Sequence, residues 1–152
     1  MKQKNMQLQP EFRLPGFRLF DGPPGKTSGI RAGQIGVVGM PSDWTHSSRL
    51  GTRFGPRALR EATTILQSVR SNGLCVDPDE GFTTEPVSDW LIDCGDAAIY
   101  PENTDATTKS IAEMTEQITA AGGIPLALGG DHYNSFPACL GYSNGLVKRN
   151  KN

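Results

Sequence analysis

Three short apolar runs alternate with two segments of helical periodicity, and this alternation constrains the fold more than any other feature. The runs are QIGVVGMP (Gln34–Pro41), DWLIDCGD (Asp89–Asp96) and IPLAL (Ile124–Leu128). Each is bounded by Gly, Pro or Asp and rich in residues that suit a strand buried on both faces. The first helical segment opens at Pro56, a residue whose missing amide hydrogen costs nothing at a helix start. From there Leu59, Ala62, Ile65, Leu66 and Val69 share one face, and Arg57 and Glu61 can pair one turn apart. A loop of Asn, Gly, Pro and Asp leads to the second strand. The second helix has Asn103 or Thr104 as its cap, Ile111, Met114, Ile118 and Ala121 as its apolar stripe, and Gly122 and Gly123 as its end. Strand, helix, strand, helix, strand makes two βαβ units. The fold class is therefore α/β, a parallel sheet with helices on both faces.

At 152 residues the chain can form one domain with a real core. Residues 1–33, with Pro10, Pro15, Pro23 and Pro24, read as an irregular N-terminal arm, and residues 34–152 as the α/β domain. Within the arm, GPPGKT imitates a phosphate-binding loop. Phe20 stands where that pattern needs its first glycine, and the prolines remove amides that would hold phosphate. Fifteen basic and sixteen acidic side chains give a net charge of −1, which argues against a general nucleic-acid or membrane surface. No apolar run approaches membrane-spanning length. MKQKNMQLQPEF lacks the apolar centre of a secretory signal, so the expected location is cytoplasmic. Cys75, Cys94 and Cys139 are odd in number and show no C-x-x-C spacing. Reduced thiols are expected rather than a disulfide framework or structural zinc.

Ligands of open α/β folds gather outside the carboxyl ends of the strands. Asp131 and His132 stand just past such an end, after Gly129 and Gly130, and Asp93 and Asp96 close another. The paired glycines are expected to let the backbone turn sharply. An imidazole held there can bind a metal through one ring nitrogen while an acceptor fixes the other. From spacing alone, however, a loop histidine bonded to a nearby carbonyl is the commoner outcome for His132. For Asp93 and Asp96 it is a carboxylate accepting backbone amides, and for His46 simple exposure. No G-x-S-x-G elbow and no paired Cys and His support nucleophilic catalysis.

VVGMPSDWTHSSRLGTRFGPRALREAT, LIDCGDAAIY and LALGGDHYNSFP together resemble, in order and spacing, the ureohydrolase family of arginases and agmatinases. The glycine-rich approach to RFGPRALREA looks most like the agmatinase branch, and the likeness spans roughly residues 33 to 145. It implies an arginase-like three-layer αβα fold and a pair of manganese ions sharing a bridging hydroxide. That hydroxide attacks the carbon of a guanidinium group to give urea and an amine. The histidine of GGDH is a metal ligand in the family, and His132 holds that place. Tyr133 departs from the serine usual after it. The family's other ligands lie in a D-x-H-x-D segment and a later D-x-D segment, neither found in these 152 residues.

The resemblance therefore implies the N-terminal part of a ureohydrolase-like domain. An incomplete sheet, at most a partial manganese site and no catalytic residue of its own are expected. Alone, such a chain is expected to be inactive, with its substrate-binding residues unknown. The complete protein would act on a small guanidino substrate and form a homo-oligomer. The alternative is a non-catalytic binding or assembly module that keeps half of the fold. A metal-dependent deacetylase of similar fold is a weaker third reading, opposed by RFGPRALREA.

Overall fold

The computed structural model describes residues 25–64, 75–77, 81–83 and 90–151. Along the chain run β1 (Ile35–Met40), α1 (Gly55–Thr64), β2 (Cys75–Asp77), β3 (Gly81–Thr83), β4 (Leu91–Asp96), α2 (Thr104–Ala120), β5 (Ile124–Gly129) and α3 (Ser135–Arg149). The order β4-β1-β5 makes a three-stranded sheet whose neighbours are parallel. Ile35 of the central strand lies opposite both Leu91 and Ile124.

Alternation along β1 sends Gly36, Val38 and Met40 to one face and Ile35, Val37 and Gly39 to the other. The first face carries α2, whose fully buried Ile111 and Ile118 join Val38, Met40, Cys94 and Ala97 in the main core. A Cβ on Gly36 would stand 2.7 Å from Ile118 Cδ1, so glycine sets how closely α2 approaches. The second face carries α1, where a Cβ on Gly39 would stand 3.1 Å from Pro56 Cβ. Val37, Leu91 and Leu128 form a smaller cluster. Helices flank the sheet on both faces, the three-layer arrangement expected from the sequence.

Asn103 caps α2, its side chain accepting from the Ala106 amide at 2.9 Å. Gly122, at φ 82°, ends it. Helix α3 lies along α2 through Gly141 and Gly145. Cβ atoms there would stand 2.1 Å from Ala112 O and 2.7 Å from Glu116 O. Lys148 adds an ion pair to Glu116. Helix α3 continues to Arg149.

Other expectations meet differences with physical causes. Among the described residues β5 is an edge strand, and Ile124 (58% exposed) and Leu126 (39%) are exposed rather than buried. In α1 the exposed residues include Leu59 and Ala62, while Pro56 and Arg60 turn inward. Ile65, Leu66 and Val69 lie outside the described residues. The segment read as a loop includes the antiparallel ribbon β2–β3, whose three-residue strands are too short to show periodicity. In the arm, Thr27–Gly29 form a 3-10 turn and Ile30 enters the main core. No described helix is long and apolar enough to cross a membrane.

Candidate metal centre

The loop after β5 is stitched to the loop after β1. The Gly130 amide donates to Met40 O (3.0 Å) and the Asp131 amide to Ser42 O (2.9 Å). A Cβ on Gly130 would stand 1.9 Å from Ser42 O. Neither Gly129 nor Gly130 has a positive φ. The glycine is thus required by close backbone approach, not by the sharp turn expected from the sequence. Asn134, fully buried, accepts from Ser42 Oγ (2.7 Å) and donates to Met40 O (3.1 Å). Asp131 completes the fastening, because its Oδ2 accepts from both the amide (2.9 Å) and the hydroxyl (2.6 Å) of Thr45.

The other Asp131 oxygen, Oδ1, is buried and accepts no hydrogen bond among the described residues. A buried carboxylate oxygen without a donor is costly, so the position suits a cation or a donor supplied from elsewhere. His132 opens the 3-10 turn His132–Asn134 with its imidazole exposed. Among the described residues that imidazole has no carbonyl partner, unlike the commoner outcome for a loop histidine. Tyr133 anchors the turn to α2. Thr108 Oγ1 gives its proton to Thr104 O (2.8 Å), so the Tyr133 hydroxyl donates to Thr108 Oγ1 at 2.5 Å.

Asp93 and Asp96 have a different task. In a regular strand, residues three apart point to opposite faces. Here the register with β1 slips between Val37 and Gly39, and Gly95 sits at φ 80°. This bulge brings both carboxylates to one guanidinium. Arg60 gives Nε and Nη2 to Asp93 (2.8 and 2.9 Å) and Nη1 to Asp96 (2.6 Å). Burial pulls the Arg60 pKa down, but the two carboxylates outweigh it and raise it above its ordinary value. Burial, with the Asp93 charge beside it, pushes the Cys94 thiol up to about 11. Asp93 also accepts the Gly95 amide at 2.9 Å, as the ordinary reading of that residue expects, whereas the Asp96 carboxylate is held by Arg60.

The loop between β1 and α1 is organised around Asp43, which accepts from the amides of Gly51 (2.6 Å) and Arg53 (3.4 Å) and from Arg53 Nη1 (3.2 Å). Burial acts to raise the Asp43 pKa, and these donors together hold it below the ordinary value. Beside this loop a cavity of about 790 Å³ opens at the carboxyl ends of β1 and β4, lined by Trp44, Leu50, Phe54, Ile99, Asp43 and Asp96 among others. His132 is not part of its wall. His46 is half-buried, its Nδ1 accepting the Ser48 amide at 3.0 Å.

Sequence reasoning missed Arg60, Ser42, Thr45 and Asn134. Only Arg60 had a usable signal, since it stands one helical turn after Pro56 and shares its inward face. Among the described residues no three His, Cys, Asp or Glu side chains gather as a metal cluster. His132 and the free oxygen of Asp131 are the donors that the turn offers. Nitrogen and oxygen donors of this kind suit manganese and similar divalent ions, so the residues fit part of such a site.

A parallel sheet between helices, with its polar loops fastened together at the strand carboxyl ends, defines an α/β protein of the kind that binds ligands at that end. The description "Arginase family" matches residues 33–150. The chain belongs to the arginase family. It is 38% identical over 101 residues to the mitochondrial guanidino acid hydrolase of Homo sapiens, covering 66% of this chain and 26% of that protein. It is 34% identical over 104 residues to an agmatinase of Bacillus anthracis, covering 68% and 33%. It is 31% identical over 104 residues to a guanidinopropionase of Pseudomonas aeruginosa, covering 68% and 30%. A crystal structure described as a hypothetical agmatinase from Burkholderia thailandensis superposes with a TM-score of 0.67 at 26% identity, over 84% of this chain and 38% of that one. The chain thus spans about a quarter to a third of the curated relatives it matches.

Proposed function

We propose that these residues form one wall of the metal site of an agmatinase-like ureohydrolase, which hydrolyses a small guanidino compound to urea and an amine. The observation that carries this reading is the His132 turn. A buried carboxylate, whose Oδ1 has no partner among the described residues, is followed by an exposed imidazole on a loop fastened to the loop after β1. His132 would hold one of two manganese ions, and Asp131 would keep the turn in place. The ions would supply a nucleophile at neutral pH and stabilise charge in the transition state. The chain's own contribution is positional: Asn134, Ser42 and Thr45 fix the loops, and Tyr133 sets the turn against α2.

One histidine cannot hold a metal pair, so the chain alone is proposed to be catalytically silent. A cytoplasmic setting suits Cys139, which is exposed and unpaired. A urea-release assay with added manganese, offering agmatine, arginine, guanidinobutyrate and guanidinopropionate in turn, tests the proposal. No urea above the manganese blank is expected. Turnover lost in His132→Ala would show instead that the chain builds a complete site.

A further inference from the structure

The cavity beside the loop after β1 is left unused by the metal reading. Its volume of about 790 Å³ is that of pockets that hold small molecules. Its wall is built by the segment between β1 and α1, the first turn of α1, and the chain from Asp96 to Pro101. Among the described residues, none of β5 or of the turn after it takes part. On the β4 side the chain supplies its own neighbour, the Gly25 amide donating to Asp93 O at 3.1 Å. The cavity is thus bounded by the chain's own elements, on the side of the sheet away from the β5 edge.

Four charged side chains reach the wall, and each is engaged within the chain. Asp43 pairs with Arg53 (3.2 Å), Arg57 with Glu61 (2.6 Å) and Asp96 with Arg60 (2.6 Å). What remains is aromatic and aliphatic surface, chiefly Trp44, Leu50, Phe54 and Ile99. Leu50 and Phe54 are exposed, so this surface gains from meeting hydrocarbon. A charged group entering here would lose its water and meet charges that already have partners.

The cavity adjoins the His132 turn. Ser42 belongs to the cavity wall, its carbonyl accepts the Asp131 amide (2.9 Å), and its hydroxyl donates to Asn134 (2.7 Å). Two positions on, neighbouring residues divide the same tasks: Trp44 lines the cavity, and Thr45 holds Asp131.

We propose that the cavity receives an uncharged hydrocarbon tail of the guanidino compound, so that the complete protein favours alkylguanidines over substrates whose far end is charged. Trp44 is the specificity-determining residue, because it faces the tail from the loop that fastens the His132 turn. The guanidinium end of this inference rests on the metal reading, and the tail end rests on the cavity alone.

Binding of n-propyl-, n-pentyl- and n-heptylguanidine to the 152-residue chain tests it, read from the fluorescence of Trp44 in a Trp90→Phe background. These are the two tryptophans of the chain, and Trp90 is not in the cavity wall. Expected is affinity that rises about fourfold per added methylene. Agmatine, which matches n-pentylguanidine in length but ends in an ammonium, should bind at least tenfold more weakly than it, and so should guanidinobutyrate. Leu50→Asp should weaken n-heptylguanidine at least tenfold with unchanged circular dichroism, and should that variant fail to fold, the length series decides. Affinity that does not rise with tail length, or agmatine or guanidinobutyrate binding as tightly as n-pentylguanidine, overturns the proposal. n-Alkanols of the same lengths carry no guanidinium, so their length dependence reports the tail site without the metal reading, and a flat series overturns it. The metal reading fails separately, through manganese binding measured with no alkyl ligand present.

Discussion

Asp131 binds Thr45 twice through a single oxygen, taking the amide at 2.9 Å and the hydroxyl at 2.6 Å, while its second oxygen is buried without a donor among the described residues. One carboxylate therefore fastens the loop after β1 to the turn that presents His132. A charge-assisted bond of this kind contributes about 1.5–3 kcal/mol.

The first prediction follows from that division of labour. Thr45→Val should destabilise the fold by about 1–2 kcal/mol, since the hydroxyl is lost and the amide bond remains. Asp131→Asn keeps an acceptor for Thr45 and replaces the charge, at a similar cost. The double variant should cost less than the sum, because both changes break one connection. Urea unfolding checks this, and full additivity would show that the pair is not coupled.

Arg60 supports the second prediction. Its guanidinium is buried between Asp93 and Asp96. Replacing it with methionine leaves two carboxylates facing each other and should cost about 3–5 kcal/mol. Arg60→Lys should recover only part of that, since a single ammonium cannot reproduce the three bonds. Equal stabilities of the methionine variant and the wild type would contradict the bulge-based clamp.

Acid stability gives a third. The folded-state pKa of Asp43 lies below its ordinary value. Its contribution is therefore present at neutral pH and is lost as pH falls below the ordinary carboxylate range and through the depressed folded value. Asp43→Asn should lower stability at neutral pH and flatten the acid limb of the stability curve. Unfolding midpoints measured from neutral pH down to the acid limb provide the comparison, and parallel curves for the two proteins would contradict it.

The fourth concerns thiols. Cys94 is buried with its pKa near 11, and Cys139 is exposed. At neutral pH iodoacetamide should label Cys139 while Cys94 reacts only after unfolding. Peptide mapping by mass spectrometry reads this directly, and rapid native labelling of Cys94 would mean that α2 does not cover the sheet.

Much of this architecture is legible in the residues. Val37, Val38, Ile111 and Ile118 occupy core positions that periodicity assigns to them, and Asn103 caps where its side chain predicts. What periodicity could not show are the long-range meetings. Spacing from Pro56 can turn Arg60 inward, but its partners Asp93 and Asp96 come to the same side only through the Gly95 bulge. Leu126 reads as core, yet its exposure depends on what stands next to β5 in space, a fact that no local pattern encodes. At the site, GGDH placed Asp131 and His132 at a strand end. The partnership with Thr45, 86 positions away, required the fold.

The most direct measurement is a manganese titration of the chain followed by the electron paramagnetic resonance signal of the free ion, comparing wild type with His132→Ala and Asp131→Asn. Expected is weak binding near one ion per chain that His132→Ala abolishes, by removing the imidazole donor, and that Asp131→Asn weakens, by loosening the turn that presents it. Binding of equal strength in wild type and His132→Ala, or none in the wild type, would contradict the assignment of His132 as the metal ligand of this wall.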